Sequence, residues 1–89
     1  MASIIAAFAV KDYDKWRSNF DGEGDQRREY GIKGGRVYQD AANPNLVTVV
    51  VEGELSDLKA YAGSQDLKDA MAKGGVVGPP QMSFVNEVT

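Results

Sequence analysis

Cysteine and histidine are both absent from these 89 residues. Without cysteine there are no disulfides, no thiol nucleophiles and no thiolate metal sites. Without histidine there is no imidazole to ligate a metal or to serve as a base near neutral pH. Positive charge is scarce: Lys and Arg number 10 against 13 Asp and Glu, for a net charge of −3. That balance argues against nucleic-acid phosphates, which reward concentrated positive charge. Long apolar runs are missing too. The run from Ile4 to Val10 spans only seven residues, far short of the ~20 a membrane helix needs. It lacks the basic leader and small-residue cleavage site of a signal peptide, Ala2 excludes a myristoylation start, and no Asn lies in an Asn-X-Ser/Thr acceptor. The expectation is a cytoplasmic protein with neither a membrane nor a nucleic-acid partner.

What is present is a globular mix, 43% hydrophobic and 26% charged. It reads as a single domain over residues 1–89 with a thin core, since a chain this size hides roughly 60–65% of its unfolded surface. Ser3 to Val10 is short and apolar and reads as a buried strand. Asp12 is a good N-cap, and Tyr13, Trp16 and Phe20 then fall on one helical face. Gly22 and Gly24 interrupt that helix, and a second helical piece over 25–30 ends at Gly31. Residues 32–40 are extended and polar, residues 41–45 form a turn around Pro44, and Leu46 to Glu52 is a β-branched strand, together a hairpin. Ser56 is expected to cap a helix over 57–62, and Ser64 one over 65–73 with Leu67, Ala70 and Met71 on its apolar side. Gly74 to Pro80 reads as a C-cap and rigid link, since it lacks the Lys-Ser/Thr and strand–turn–helix context of a phosphate loop. Residues 82–88 make the last strand.

The order strand, helix, strand, strand, helix, strand is the split βαβ arrangement of ferredoxin-like α+β domains. The first and third strands are apolar on both faces and belong at the centre of an antiparallel sheet. The second, with Lys33, Arg36 and Gln39, and the fourth, with Ser83, Asn86 and Glu87, suit the edges. The predicted spatial order is 4-1-3-2, with helices on one face. The other face is left carrying apolar side chains, which a soluble monomer rarely exposes. The expectation is a homodimer packed sheet against sheet into an α+β barrel; a monomer with a less apolar open face is the alternative.

Three segments, V-K-D-Y-D-K-W-R-S-N-F (Val10 to Phe20), G-G-R-V-Y-Q-D-A-A-N-P-N (Gly34 to Asn45) and L-K-D-A-M-A-K-G-G-V-V-G-P-P (Leu67 to Pro80), carry a resemblance. The chain resembles the dimeric α+β barrel superfamily, in particular small proteins similar to antibiotic-biosynthesis monooxygenases and related cyclases. The resemblance implies a small, often aromatic ligand held between sheet and helices. It also implies oxygenase chemistry without a cofactor, in which Asn, Trp, Tyr or Arg side chains bind a substrate enolate that itself reacts with oxygen. Haem-degrading members and cyclases with a His base are disfavoured here because the chain has no histidine.

The candidate ligand-binding residues are Tyr13, Trp16, Phe20, Tyr61, Met71 and Phe84, and the candidate catalytic residues are Arg36, for anion stabilisation, and Tyr38, for proton donation. Each has a plainer reading. An aromatic stripe at helical spacing is more often core, and Arg36 serves equally as a solvated edge-strand charge. Arg27 and Arg28 could likewise supply a guanidinium to an enolate or carboxylate, but flanked by Asp25 and Glu29 they read as a surface helix with local ion pairs. Asp12/Asp14 and Asp66/Asp69 sit at helix starts, where negative charge suits the dipole; no metal and no cofactor are expected. Asn86 is the polar residue whose burial would matter, since a buried amide needs partners. The rival to a ligand-binding enzyme is a ligand-sequestering or structural dimer whose aromatics only fill the core.

Overall fold

The computed structural model describes residues 1–88. The chain runs β1 (Ala2–Val10), α1 (Tyr13–Gly22), α2 (Gly24–Glu29), β2 (Lys33–Gln39), β3 (Leu46–Gly53), α3 (Leu55–Ala62), α4 (Gln65–Gly74) and β4 (Val76–Asn86). The strands form one antiparallel sheet in the order β2-β3-β1-β4. This is the ferredoxin-like order expected from the two-sided apolar character of β1 and β3, with the single helix of each βαβ crossover replaced by a pair.

Register assigns the paired strand residues to faces. Ile4 stands opposite Val51, Ala6 opposite Val49 and Phe8 opposite Val47. These side chains point toward the helices, and Ile4, Ala6, Val47, Val49 and Val51 are buried there with Trp16, Leu58 and Tyr61. The intervening residues pair Ile5 with Val50 and Ala7 with Thr48 and point away from every helix. On that open face Ile5, Leu46, Val77 and Tyr38 remain 39%, 43%, 50% and 51% exposed.

The helix ends follow local chemistry. The Asp12 carboxylate accepts from the Lys15 amide at 3.3 Å and starts α1. A second cap comes from far along the chain: the Tyr13 amide donates to Asn45 Oδ1 at 3.1 Å, while the Asn45 carbonyl accepts from the Val10 amide at 2.9 Å. Asn45 thus ties the β2–β3 turn to the β1–α1 junction, more than the turn role its sequence context suggests. Ser64 caps α4 through the Leu67 amide at 3.1 Å. Gly75 closes α4 in the left-handed region at φ 75°, where glycine carries no Cβ penalty. A Cβ on Gly74 would lie 2.9 Å from Trp16 Cδ1, so its bare backbone is what lets α4 rest on α1.

Two local expectations are corrected. Ser56 lies inside the first turn of α3; Glu54 holds the cap position, without a side-chain hydrogen bond. The segment after Gly75 is strand and not link: Val76 pairs with Val10 and Val77 with Ala9, and the ladder is broken by a bulge before resuming at Gln81 opposite Ala7. Val76 and Val77 favour extended backbone, and an edge strand tolerates Gly78, Pro79 and Pro80 because a bulge there loses few ladder bonds. Among the described residues no helix is long and apolar enough to cross a membrane.

Leu58 is the pivot between α3 and the sheet, with no exposed surface. Leu58→Ala should cost about 2–5 kcal/mol, read as a fall in the urea midpoint with little change in the slope of the transition. A cost under about 0.5 kcal/mol, the scale of an ordinary surface substitution, would contradict that role.

Candidate functional site

Between the sheet and the helices lies a funnel-shaped cavity of about 80 Å³ that opens to solvent. Ile4, Ala6, Phe8, Val49, Val51 and Met82 form its floor on three strands. Trp16, Asn19 and Phe20 descend from α1, Tyr61 from α3, and Leu67, Ala70 and Met71 from α4. That volume is about half the ~150 Å³ at which a dry apolar cavity takes up benzene. A larger ring must use the funnel or displace side chains, and Met71 and Met82 are the unbranched, adaptable groups in the wall.

The Trp16 indole organises one side. It is 4% exposed and packs against Phe8 edge-on at 5.5 Å, Phe20 in a stack at 5.1 Å and Tyr13 at 5.9 Å. Of the residues singled out from sequence, Trp16, Phe20, Tyr61 and Met71 are brought together on this wall. Tyr13 lies behind Trp16, off the wall. Phe84 stands opposite Ile4 on the helix-bearing side of edge strand β4, 41% exposed and away from the lining. Arg36 and Tyr38 are paired with Val50 and Thr48, which puts them on the open face. There Arg36 Nη2 lies 3.6 Å from Glu52 Oε1. The sheet separates them from the cavity. Asn86 is exposed.

Two polar lining residues, Asn19 and Glu23, drew no notice in the sequence, and a third, Arg27, was read there as a surface charge. Asn19 Nδ2 donates to the Ala70 carbonyl at 3.1 Å, fastening α1 to α4. Arg27, expected on a solvated surface, is only 8% exposed. Its guanidinium carbon lies 3.8 Å from the Phe20 ring centroid, and Nη1 donates to the Phe20 carbonyl at 2.8 Å. The expected local ion pair forms on its neighbour, between Arg28 and Asp25. A signal was present: Arg27 follows Phe20 by seven residues, as Phe20 follows Tyr13, so it extends the inward stripe across the Gly22–Gly24 break. Among the described residues no carboxylate lies within 4 Å of the Arg27 guanidinium nitrogens.

Burial shapes the protonation of this corner. It pulls the Arg27 guanidinium down from its ordinary value, opposed chiefly by the neighbouring Tyr61. It pushes the Tyr61 phenol up, with Arg27 acting the other way. Tyr61 therefore acts as a neutral hydrogen-bonding group near neutral pH. The arrangement can stack a flat ring on Trp16 or Phe20 and place one guanidinium beside it. No cluster of three or more acidic residues able to hold a metal occurs among the described residues.

No protein-family profile matches the chain, and no curated protein matches it. Solved structures do. A candidate antibiotic biosynthesis monooxygenase from Bordetella bronchiseptica superposes with a TM-score of 0.82 at 16% identity, covering 99% of this chain and 97% of that one. An antibiotic biosynthesis monooxygenase of full mutual coverage gives 0.75 at 12% identity. The fold is that of the antibiotic biosynthesis monooxygenases. SnoaB, a cofactor-independent oxygenase from Streptomyces nogalater, has the same fold, with a TM-score of 0.76 at 9% identity over 99% of this chain and 93% of that one. At these identities the likeness speaks for the scaffold, the one the three sequence segments resemble.

The raised Tyr61 value carries a sign. Burial favours the neutral phenol, so its contribution is fully present below the ordinary tyrosine value of ~10 and is lost as pH rises through the raised folded value. Tyr61→Phe cannot ionise. Its urea midpoint should therefore fall less between pH 9 and 11.5 than that of the parent chain, and parallel declines would count against the assignment.

Proposed function

We propose that this chain binds a small, ring-bearing, largely apolar molecule between its sheet and helices, as one half of a sheet-to-sheet homodimer, and that it oxygenates that molecule without a cofactor. The observation that carries the reading is the funnel itself: aromatic and thioether walls with Asn19 and Arg27 converging on it. Ligand sites are characteristically concave and mostly apolar with a few placed polar groups. The oxygenase part takes its support from the fold shared with a cofactor-independent oxygenase. In such chemistry an enolised ring CH2 reduces oxygen directly, becoming a carbonyl while the second oxygen atom leaves as water. The protein's task is to bind, orient and desolvate the enolate.

The open face supports the dimer. Ile5, Ala7, Ala9, Leu46, Val50 and Val77 lie on it, an apolar surface that a second copy would cover. Arg36 and Glu52 give it one charge of each sign, so two copies related by a twofold axis offer each other complementary charge. In this reading Arg36 and Tyr38 belong to the seam between copies, and the residues around the reacting atoms are Trp16, Phe20, Asn19 and Tyr61.

Native mass spectrometry tests both parts. The expected species is twice the 9.6 kDa chain mass. Val50→Lys, which buries a charge at the seam, should give monomer; a dimer unaffected by it would place the interface elsewhere. Ala70→Leu, which fills the funnel, should leave the dimer intact and weaken ring binding at least about tenfold. Oxygen uptake with anthrone, whose ring CH2 enolises, should exceed the uncatalysed rate and drop in Ala70→Leu. Binding with no uptake would leave a sequestering protein in place of an oxygenase.

A further inference from the structure

Arg27 is an expensive residue to keep where it is. Removing a cation from water costs several kcal/mol unless good partners replace the solvent. Its partners are few and none is a carboxylate within ion-pair distance: one hydrogen bond to a main-chain carbonyl, the face of Phe20 and the Tyr61 hydroxyl beside it. A guanidinium carries five N–H donors in a planar fork, so most of the fork is left for something else. Glu23, at the α1–α2 joint, also lines the cavity, but it makes no ion pair with Arg27. Arg27 also borders a second crevice lined by Arg28 and Lys33; Asp25 pairs with Arg28, and Lys33 adds positive potential there.

We infer that the cavity takes its ligand as an organic anion, the ring lying on the aromatic wall and the oxyanion pairing with the open fork of Arg27. This rests on the reading of the funnel as a ring-binding site and adds the charge of what enters it. A planar fork suits two anion chemistries, a ring carboxylate and an ionised enol or phenol. Glu23 is the internal competitor: its carboxylate faces the same space, so it repels an incoming anion and weakens its binding.

Titration calorimetry at pH 7 decides the matter with two matched pairs. One is 1-naphthoate against 1-naphthamide. The other is 2-hydroxy-1,4-naphthoquinone, an ionised enol, against 1,4-naphthoquinone. The parent chain should bind at least one anion about tenfold tighter than its neutral match, one step of 1.4 kcal/mol, and the pair that shows the preference names the anion class. Arg27→Met should erase the preference to within about twofold while keeping the neutral compounds, and Glu23→Gln should widen it. Should Arg27→Met fail to fold, Glu23→Gln and the parent preference decide. Equal binding of anion and neutral match, unmoved by Glu23→Gln, overturns the inference and leaves the ring site standing. Binding of none of the four overturns the ring site and the inference with it.

Discussion

In the central strands a side chain faces the helices or faces away from them, and the hydrogen-bonded register of β1 against β3 makes that choice for the whole sheet. Ile4 opposite Val51 and Ala6 opposite Val49 form the floor of the cavity. Ile5 opposite Val50, one residue along, belongs to the outside. A slip of one residue would exchange the two sets. The slip is penalised because the helix-facing set is buried with Trp16, Leu58 and Tyr61 while the other set lies on the face that no helix covers. The cavity floor, the apolar open face and the separation of Arg36 from Arg27 are three consequences of that one alternation.

The fold was legible in the sequence where burial leaves a compositional mark. Strands apolar on both faces can sit only in the middle, so the order β2-β3-β1-β4 could be read from residue types. Caps were legible where a short polar side chain directly precedes its helix, as at Asp12 and Ser64. They were not legible at Ser56, one of several polar residues crowded together there, and the chain starts α3 earlier. The beginning of β4 was hidden because glycine and proline write the same signal for a link and for a bulged edge strand.

The site was legible only in part, for a different reason. Trp16, Phe20 and Met71 announce themselves through helical spacing, but spacing gives an inward face and not a cavity. Arg36 and Tyr38 drew notice by residue type and by the adjacent glycines, and their type says nothing of which side of the sheet they occupy; only the register with Val50 and Thr48 does. Arg27 was the reverse case. Its acidic neighbours suggested a solvated helix, yet α2 is six residues long and its orientation is decided by the bend at Glu23, a tertiary property.

Arg27 also bears on whether the cavity serves stability or function. Were the funnel only an imperfection of a small core, the residue beside Phe20 would be an apolar one. Replacing buried charge by apolar volume is commonly neutral or stabilising, and a domain of this size has little stability to spare. A guanidinium stacked on Phe20, with one main-chain hydrogen bond and no carboxylate partner, is a poor way to hold a fold together. It is a good way to hold an anion, because burial that penalises a lone charge strengthens its attraction to an opposite one. The same low-dielectric wall raises the Tyr61 phenol and keeps it neutral beside Arg27. Near neutral pH the corner therefore sets the Arg27 guanidinium beside an uncharged hydrogen-bonding group, an arrangement complementary to a bound oxyanion.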